Sequence, residues 1–411
     1  MMLVSNSRKS LFATLATPLR AVVVGGIVAL LVACSGHATS GTVPPAGEPM
    51  TGYGSTGESA NAGANVKQYA YVANYASNNI SGYSIDASSG ALKEVKGSPF
   101  SADAGAVAVA IDPTGKFAYA PDDGSTTVDA YSIDASTGAL TAVRGSPFSA
   151  GSSPIAAAVD PVGKFLYVAN YGSGNVSGFS VNATSGTLTP VRGSPFTADS
   201  NPIAIGVDPG GKFVYVANNT SGDISAYKID GKTGTLTTVK GSPYAIGSGI
   251  TGAEVDPKGG FLYVPDATSG GVFGFKINAS TGALTAVTGS PFAGSGAPGG
   301  ISIAPSGKFA YTPDQTVGNV FGFTINAKTG ALTSAPGSPW LAGVDPTGFT
   351  VDSTSKFGYA LNFSSANISA YKIGSNGALT AVKGSPFAAG TSPEWMAICE
   401  VAKGACKPPL L

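Results

Sequence analysis

The sequence predicts an all-β fold, a seven-bladed β-propeller of four-stranded antiparallel blades, and three observations carry the prediction. A tyrosine recurs at Tyr71, Tyr119, Tyr167, Tyr215, Tyr263, Tyr311 and Tyr359, each 48 residues after the last. Each repeat divides into four short apolar runs separated by turn residues. The strand that the first repeat lacks is the strand left over after the last one, so the ring is expected to close on itself.

Residues 1–33 read as a targeting segment. Arg8, Lys9 and Arg20 precede a 13-residue apolar run from Ala21 to Ala33. That run is too short for a spanning helix, which needs about 20 residues, and suits a signal-peptide core. Leu31-Val32-Ala33-Cys34 resembles the bacterial lipobox, whose cysteine is lipidated and becomes the new N-terminus; ordinary cleavage near Ala33 and an uncleaved anchor are the alternatives. Stable attachment takes more than one acyl chain. Ser35 is not the aspartate that, by resemblance to Gram-negative lipoproteins, retains such proteins at the inner membrane. An outer-membrane lipoprotein facing the periplasm or the cell surface is therefore expected, with Cys34 as its contact with the membrane.

From 34 to 65 the chain is rich in Gly, Ser, Thr, Ala, Pro and Asn and has no periodicity, too little apolar surface to order itself. As a flexible coil it would span roughly 30 Å. His37, the single histidine, falls in this tether.

Residues 66–411 form the expected propeller domain. In the third repeat the runs are Ile155 to Val159, Phe165 to Ala169, Val176 to Val181 and Leu188 to Val191, rich in Val, Ile, Tyr and Phe, as strands are. Asp160-Pro161-Val162-Gly163 has the Pro and Gly placement of a type I turn between the first two. Asn170 and its equivalents Asn74, Asp122, Asn218, Asp266, Asp314 and Asn362 open the next hairpin. Gly90, Gly138, Gly186, Gly234, Gly282, Gly330 and Gly377 give the third turn its permissive backbone. The final strand, around Trp395 to Ile398, supplies the innermost strand of the blade that begins at Tyr69 and removes a free inner edge. With Cys34 given to lipid, Cys399 and Cys406 remain as an even pair on the closing strand, expected to form a disulfide outside the cytoplasm. Neither has a histidine partner that would favour a zinc or catalytic role.

Tyr71-Val72-Ala73-Asn74, Tyr167-Val168-Ala169-Asn170 and Tyr215-Val216-Ala217-Asn218, with a Pro-x-Gly-Lys-Phe turn before the later copies, resemble the YVTN-type repeats of the lactonase-like seven-bladed propellers. The similarity covers residues 66–400. That group includes 6-phosphogluconolactonase-like and muconate-cycloisomerase-like enzymes, and the resemblance implies chemistry resting on histidine, arginine and glutamate around the central channel. This propeller has no histidine, and its two arginines, Arg144 and Arg192, stand just after outer strands in a column with Lys96, Lys240 and Lys383, as a solvated rim would.

Without Arg8, Lys9 and Arg20 the chain carries 20 basic against 23 acidic groups. Nucleic acid needs a concentrated basic face and is excluded, and a phosphorylated substrate finds no obvious clamp. Lys116, Lys164, Lys212, Lys308 and Lys356 form a ring, but Asp112, Asp160, Asp208 and Asp352 precede four of them and are expected to pair locally. No phosphate-cradling glycine loop, no Ser/His/Asp set and no metal box is present, so no cofactor is expected. Asp122, Asp123 and Asp129 are too sparse for calcium. Sequons such as Asn175-Val176-Ser177 and Asn182-Ala183-Thr184 read as turn residues.

The Gly-Ser-Pro loops carry Phe100, Phe148, Phe196, Tyr244, Phe292, Trp340 and Phe387, a column expected to wedge between neighbouring blades, with Tyr244 and Trp340 the members best suited to contact a protein or carbohydrate ligand. Against the small residues of the innermost strands, Glu254, Glu394 and Trp395 stand out, Trp395 as a further candidate for ligand binding. The two carboxylates belong to blades three apart and could face each other across the channel as an acid/base pair; the plainer expectation is that Glu254 bonds a backbone group and Glu394 meets solvent at the channel mouth. Two functions follow. One is a monomeric, lipid-anchored binding or scaffold propeller without a recognisable catalytic site. The other is a lactone hydrolase in which a channel carboxylate replaces histidine.

Overall fold

The computed structural model describes residues 67–294, 296–402 and 404–408. They form seven antiparallel sheets, the blades of a propeller, with no helix among the described residues. Blade 3 shows the plan. Its inner strand Pro154–Val159 pairs with Phe165–Asn170, which pairs with Asn175–Val181. The outer strand comes in two pieces, Leu188–Pro190 and Phe196–Thr197, each paired with one half of the third strand. The sequence marks a single fourth run; the structure splits it at the Gly-Ser-Pro loop.

The loop repairs the ladder it interrupts. Proline has no N–H and cannot pair as a strand residue, so the Ser194 hydroxyl accepts the Gly178 N–H at 3.0 Å while the Val191 N–H reaches the Gly178 carbonyl at 2.9 Å. The same serine acceptor recurs in the other blades, from Ser98 to Ser385. A third-strand amide that would otherwise lack a partner is satisfied seven times.

Neighbouring blades are joined by the repeated tyrosine. Each hydroxyl donates to the carbonyl of the turn glycine of the next blade: Tyr71 to Gly138 at 3.0 Å, Tyr167 to Gly234 at 2.9 Å, and Tyr359, across the closure, to Gly90 at 3.0 Å. The glycine is required twice over. Gly138 has φ +79°, and a Cβ there would stand 2.5 Å from the Tyr69 ring of the preceding blade. In later blades the phenylalanine of the Lys-Phe turn, such as Phe165 against Gly234, fills the place of Tyr69. All seven tyrosines are fully buried.

Three blades depart from the plan. In blades 2, 5 and 6 the second strand carries Pro121, Pro265 or Pro313 where blade 3 has Ala169. Without the proline N–H the inner ladder shrinks to Ala110–Ile111, Glu254–Val255 and Ser302–Ile303, plus one isolated bridge each, whereas Pro154–Val159, Pro202–Val207 and Pro346–Val351 pair over their length.

The ring closes as the sequence predicts. Pro393–Ala402 lies antiparallel to Gln68–Asn74, with Gln68 opposite Glu400 and Tyr71 opposite Ala397. It then turns into Ala405–Lys407, a short strand whose Cys406 N–H donates to the Gly115 carbonyl of blade 2 at 3.0 Å. The Cys399 and Cys406 sulfurs stand at bonding distance, 2.00 Å, with Cα atoms 5.2 Å apart. The signal segment, the lipobox with Cys34 and the tether with His37 lie outside the described residues.

Candidate functional site

The inner strands are built from small residues because they converge on the ring axis. Ala108, Ala156 and Ala204 occupy one column, in which Gly348 and Trp395 take the last two places. A Cβ on Gly348 would stand 2.7 Å from the Trp395 ring, so the glycine of blade 7 makes room for the indole of blade 1. Trp395 is 2 % exposed and belongs to the same buried cluster as Val107, Ile155, Ile203 and Ile250. Its Nε1 has no hydrogen-bond acceptor. An exposed binding role for Trp395 does not fit this burial.

Glu254 is 5 % exposed on the inner strand of blade 5. Its Oε1 accepts the Ile303 N–H of blade 6 at 3.1 Å. Burial pushes the carboxyl up to about 8, against a smaller opposing effect of that hydrogen bond, so Glu254 is largely neutral at pH 7. The backbone contact is the plainer of the two sequence expectations. Glu394 differs from its expectation: it is 0 % exposed rather than open at a channel mouth, because the Pro393–Ala402 strand is covered by blade 7, where the Thr347 hydroxyl donates to the Glu394 carbonyl at 3.1 Å. The described inner-strand residues around both carboxyls are buried.

The aromatic column packs between neighbouring blades, as expected, Phe100 against the core shared by blades 1 and 2 and Phe148 against that of blades 2 and 3, and it also covers glycines of its own blade. Trp340 lies over Gly322 and Phe196 over Gly178, glycines of their own third strands where a Cβ would meet the ring at 2.7 Å and 3.0 Å. Trp340 and Tyr244 are half-buried, as are most of their phenylalanine equivalents. Third-strand tyrosines add hydrogen bonds to the same seams, such as Tyr131 to the Ser101 carbonyl at 2.6 Å. A cleft of about 340 Å³ opens at the blade 1–blade 7 seam beside Tyr83, Glu94 and Phe387, but the Tyr83 hydroxyl is engaged by the Ala388 carbonyl at 2.8 Å.

The charged columns carry no site. Arg144, Arg192, Lys96, Lys240 and Lys383 are exposed on the outer rim, as expected. The turn aspartates do not reach the turn lysines: Asp160 is buried, and its Oδ1 accepts the Lys164 and Phe165 N–H groups at 2.6 and 2.7 Å. Turn geometry claims the carboxylate, leaving the lysine in solvent.

At the Asn/Asp hairpins the asparagines act as amide donors. Asn170 Nδ2 donates to Asn175 Oδ1 at 2.7 Å and to Ser177 Oγ at 2.9 Å, and Asn74, Asn218 and Asn362 repeat the pattern. Asn182 Oδ1 accepts the Thr184 and Ser185 N–H groups, a turn role for that sequon. Among the described residues no three His, Cys, Asp or Glu side chains converge on a possible metal ion.

With the geometry in place, the comparisons with known proteins decide the family. The model of the family described as "Lactonase, 7-bladed beta-propeller" matches residues 62–296 and 288–397. The chain belongs to this lactonase family. No curated protein matches it. Among solved structures it is similar to a putative 6-phosphogluconolactonase from Bacteroides uniformis, with 19 % identity and TM-score 0.71 over 82 % of this chain and 100 % of that one. A periplasmic gluconolactonase from Pseudomonas aeruginosa is similar at 17 % identity and TM-score 0.69, over 81 % of this chain and 99 % of that one. At such identity the likeness is one of fold. This chain has no histidine in residues 66–411, and its inner-strand Glu254 and Glu394 are buried.

Proposed function

We propose that this lactonase-family protein is a hydrolase that opens a sugar or aliphatic lactone, with Glu254 as the proton-transfer group. The observation that carries the reading is the Glu254 carboxyl, the one acid in an inner-strand column otherwise filled by residues such as Ala110, Ala158, Gly206 and Ser302, held neutral near pH 7 by burial. In the reaction, a water oxygen adds to the lactone carbonyl and the ring C–O bond breaks. The Glu254 proton goes to the departing alkoxide, and a proton of the water restores the carboxyl. The absence of a basic clamp favours an unphosphorylated lactone. Access requires the inner ring to open locally, and blade 5 is suited to it: Pro265 limits its inner pairing to Glu254–Val255 and one bridge.

The test is turnover of a panel of sugar and aliphatic lactones by the mature chain, followed as acid release. Turnover lost in Glu254→Gln, with the unfolding temperature retained, supports the reading. No turnover by folded wild-type protein, or equal turnover by Glu254→Gln, overturns it. A second reading, a binding or scaffold propeller, is favoured by the closed packing around Glu394 and Trp395, and a catalytically inert protein would leave that reading in place.

Under either reading we propose that Cys34 is lipidated and holds the domain at the outer membrane on its tether. The protein should partition into the detergent phase and Cys34→Ala should leave it in the aqueous phase; partitioning that survives the substitution contradicts the anchor.

A further inference from the structure

Blade 2 breaks the hairpin pattern in a way that changes its chemistry. Where blades 1, 3, 4 and 7 place an asparagine and, seven residues on, a serine, blade 2 places Asp122 and Asp129. The strand register is the same: Asp122 lies opposite Thr127 and Ala120 opposite Asp129, as Asn170 lies opposite Asn175 and Val168 opposite Ser177. An amide that donates to a hydroxyl has been replaced by two carboxyls side by side.

Blades 5 and 6 show how an aspartate at this position is otherwise accommodated. Asp314 Oδ1 accepts the Thr316 and Val317 N–H groups and the Thr316 hydroxyl, its Oδ2 accepts the Gly296 N–H, and the column residue beyond is Phe321, not an acid. Asp266 Oδ1 accepts the Ser269 N–H at 2.6 Å, with Phe273 beyond. Asp122 is 0 % exposed, and neither of its oxygens receives a well-formed hydrogen bond; the donors near it are the Asp129 N–H and the Thr127 hydroxyl, and the latter is already given to Asp103. An anion so placed would lack water and any well-placed donor, which is costly.

We propose that Asp122 is a neutral acid whose proton is shared with Asp129, replacing the Asn-to-Ser hydrogen bond of four other blades, and that loss of this proton loosens the seam between blades 1 and 2. The groups around the pair set the sign. On its own hairpin stand Asp123, Thr127 and Asp129; from the entry loop comes Asp103, from the outer loop Ser146, and from the third strand Tyr131. Among the described residues no lysine or arginine is one of the main influences on either carboxyl. Burial, then the Asp129 and Asp103 charges, raises Asp122 to about 9. Asp129 is itself engaged as an acceptor, from the Asp103 N–H at 2.7 Å and the Ser146 hydroxyl at 3.1 Å. It is thus the partner better suited to carry the negative charge. The Thr127 hydroxyl donates to Asp103 Oδ2 at 2.8 Å, so the entry loop from blade 1 is tied to the same corner. A second anion there repels both Asp129 and Asp103.

A carboxyl whose folded pKa lies above its unfolded value of 3.8 stabilises fully below that value, and the contribution is lost as pH rises through about 9. The experiment follows thermal unfolding of the full chain against pH for wild type and Asp122→Asn, which installs the residue of the other blades. The unfolding-temperature advantage of Asp122→Asn over wild type should widen as pH rises from about 4 to about 9. Glu254 titrates in both proteins and cancels in the difference. A pH-independent difference overturns the proposal. Should the variant fail to fold, wild-type protein labelled with 13C-aspartate provides the second measurement: an aspartate carboxyl at the neutral-acid shift at pH 7, titrating near 9, is expected, and its absence overturns the proposal. A calcium-dependent rise in unfolding temperature that Asp122→Asn abolishes also overturns it, since a cation and not a proton would then hold the pair.

Discussion

The repeated tyrosine does two jobs that energetics separates. Burying an aromatic ring of roughly 200 Å² is worth about 5 kcal/mol by area, whereas a hydroxyl hydrogen bond nets about 1 kcal/mol and an orphaned buried acceptor costs about 1–3 kcal/mol. Tyr167→Phe keeps the ring and strands the Gly234 carbonyl. It should lower stability by about 1–3 kcal/mol in denaturant unfolding without loss of the fold. A change near zero would mean that the seam is held by ring packing alone. Periodicity makes the tyrosine column visible in the sequence, and it also marks the turn glycines. It does not say that tyrosine and glycine of successive blades meet, because that contact spans 67 residues and depends on the closure of the ring. Asp122 and Asp129 were legible as exceptions to their columns, but their closeness depends on strand register.

At the scale of the element, the runs of the sequence correspond to strands except where side-chain chemistry substitutes for backbone pairing. The fourth run ends at a proline loop and resumes beyond it because the Gly-Ser-Pro serine takes over one acceptor. Pro121, Pro265 and Pro313 were readable as residues, and their effect on the opposite strand follows only once the register is known. The closing strand was legible from the ends of the array, though not its hairpin return to Ala405–Lys407. We propose that Cys399 and Cys406 are oxidised in the secreted protein. A loop of this size contributes about 2–3 kcal/mol in the chain-entropy model, so Cys399→Ser should lower unfolding stability by about that amount and release the Cys406 contact with Gly115. Unreduced native protein should resist thiol alkylation, and rapid modification of both thiols would contradict the pairing.

For the whole molecule, seven nearly identical units leave few places for a unique function, and the structure narrows them further by burying the inner strands. Sequence reading picked out Glu254, Glu394 and Trp395 because they interrupt columns of small residues, and all three are on inner strands. It placed Glu394 at the solvent, since alternation along a strand does not reveal which side the next blade covers. Glu254 links the fold to the proposed chemistry. Its folded pKa is raised from 4.5 to about 8, so burying it stabilises the protein below about 4.5, and that stabilisation is lost as pH rises through about 8. As a proton donor it would be active over the same range. The most direct measurement is the pH dependence of lactone turnover by the mature chain, with Glu254→Gln alongside. The account predicts a rate that falls as pH rises through about 8 and a variant that has lost turnover while gaining stability relative to wild type at alkaline pH. Turnover that persists in Glu254→Gln with the same pH profile would contradict it.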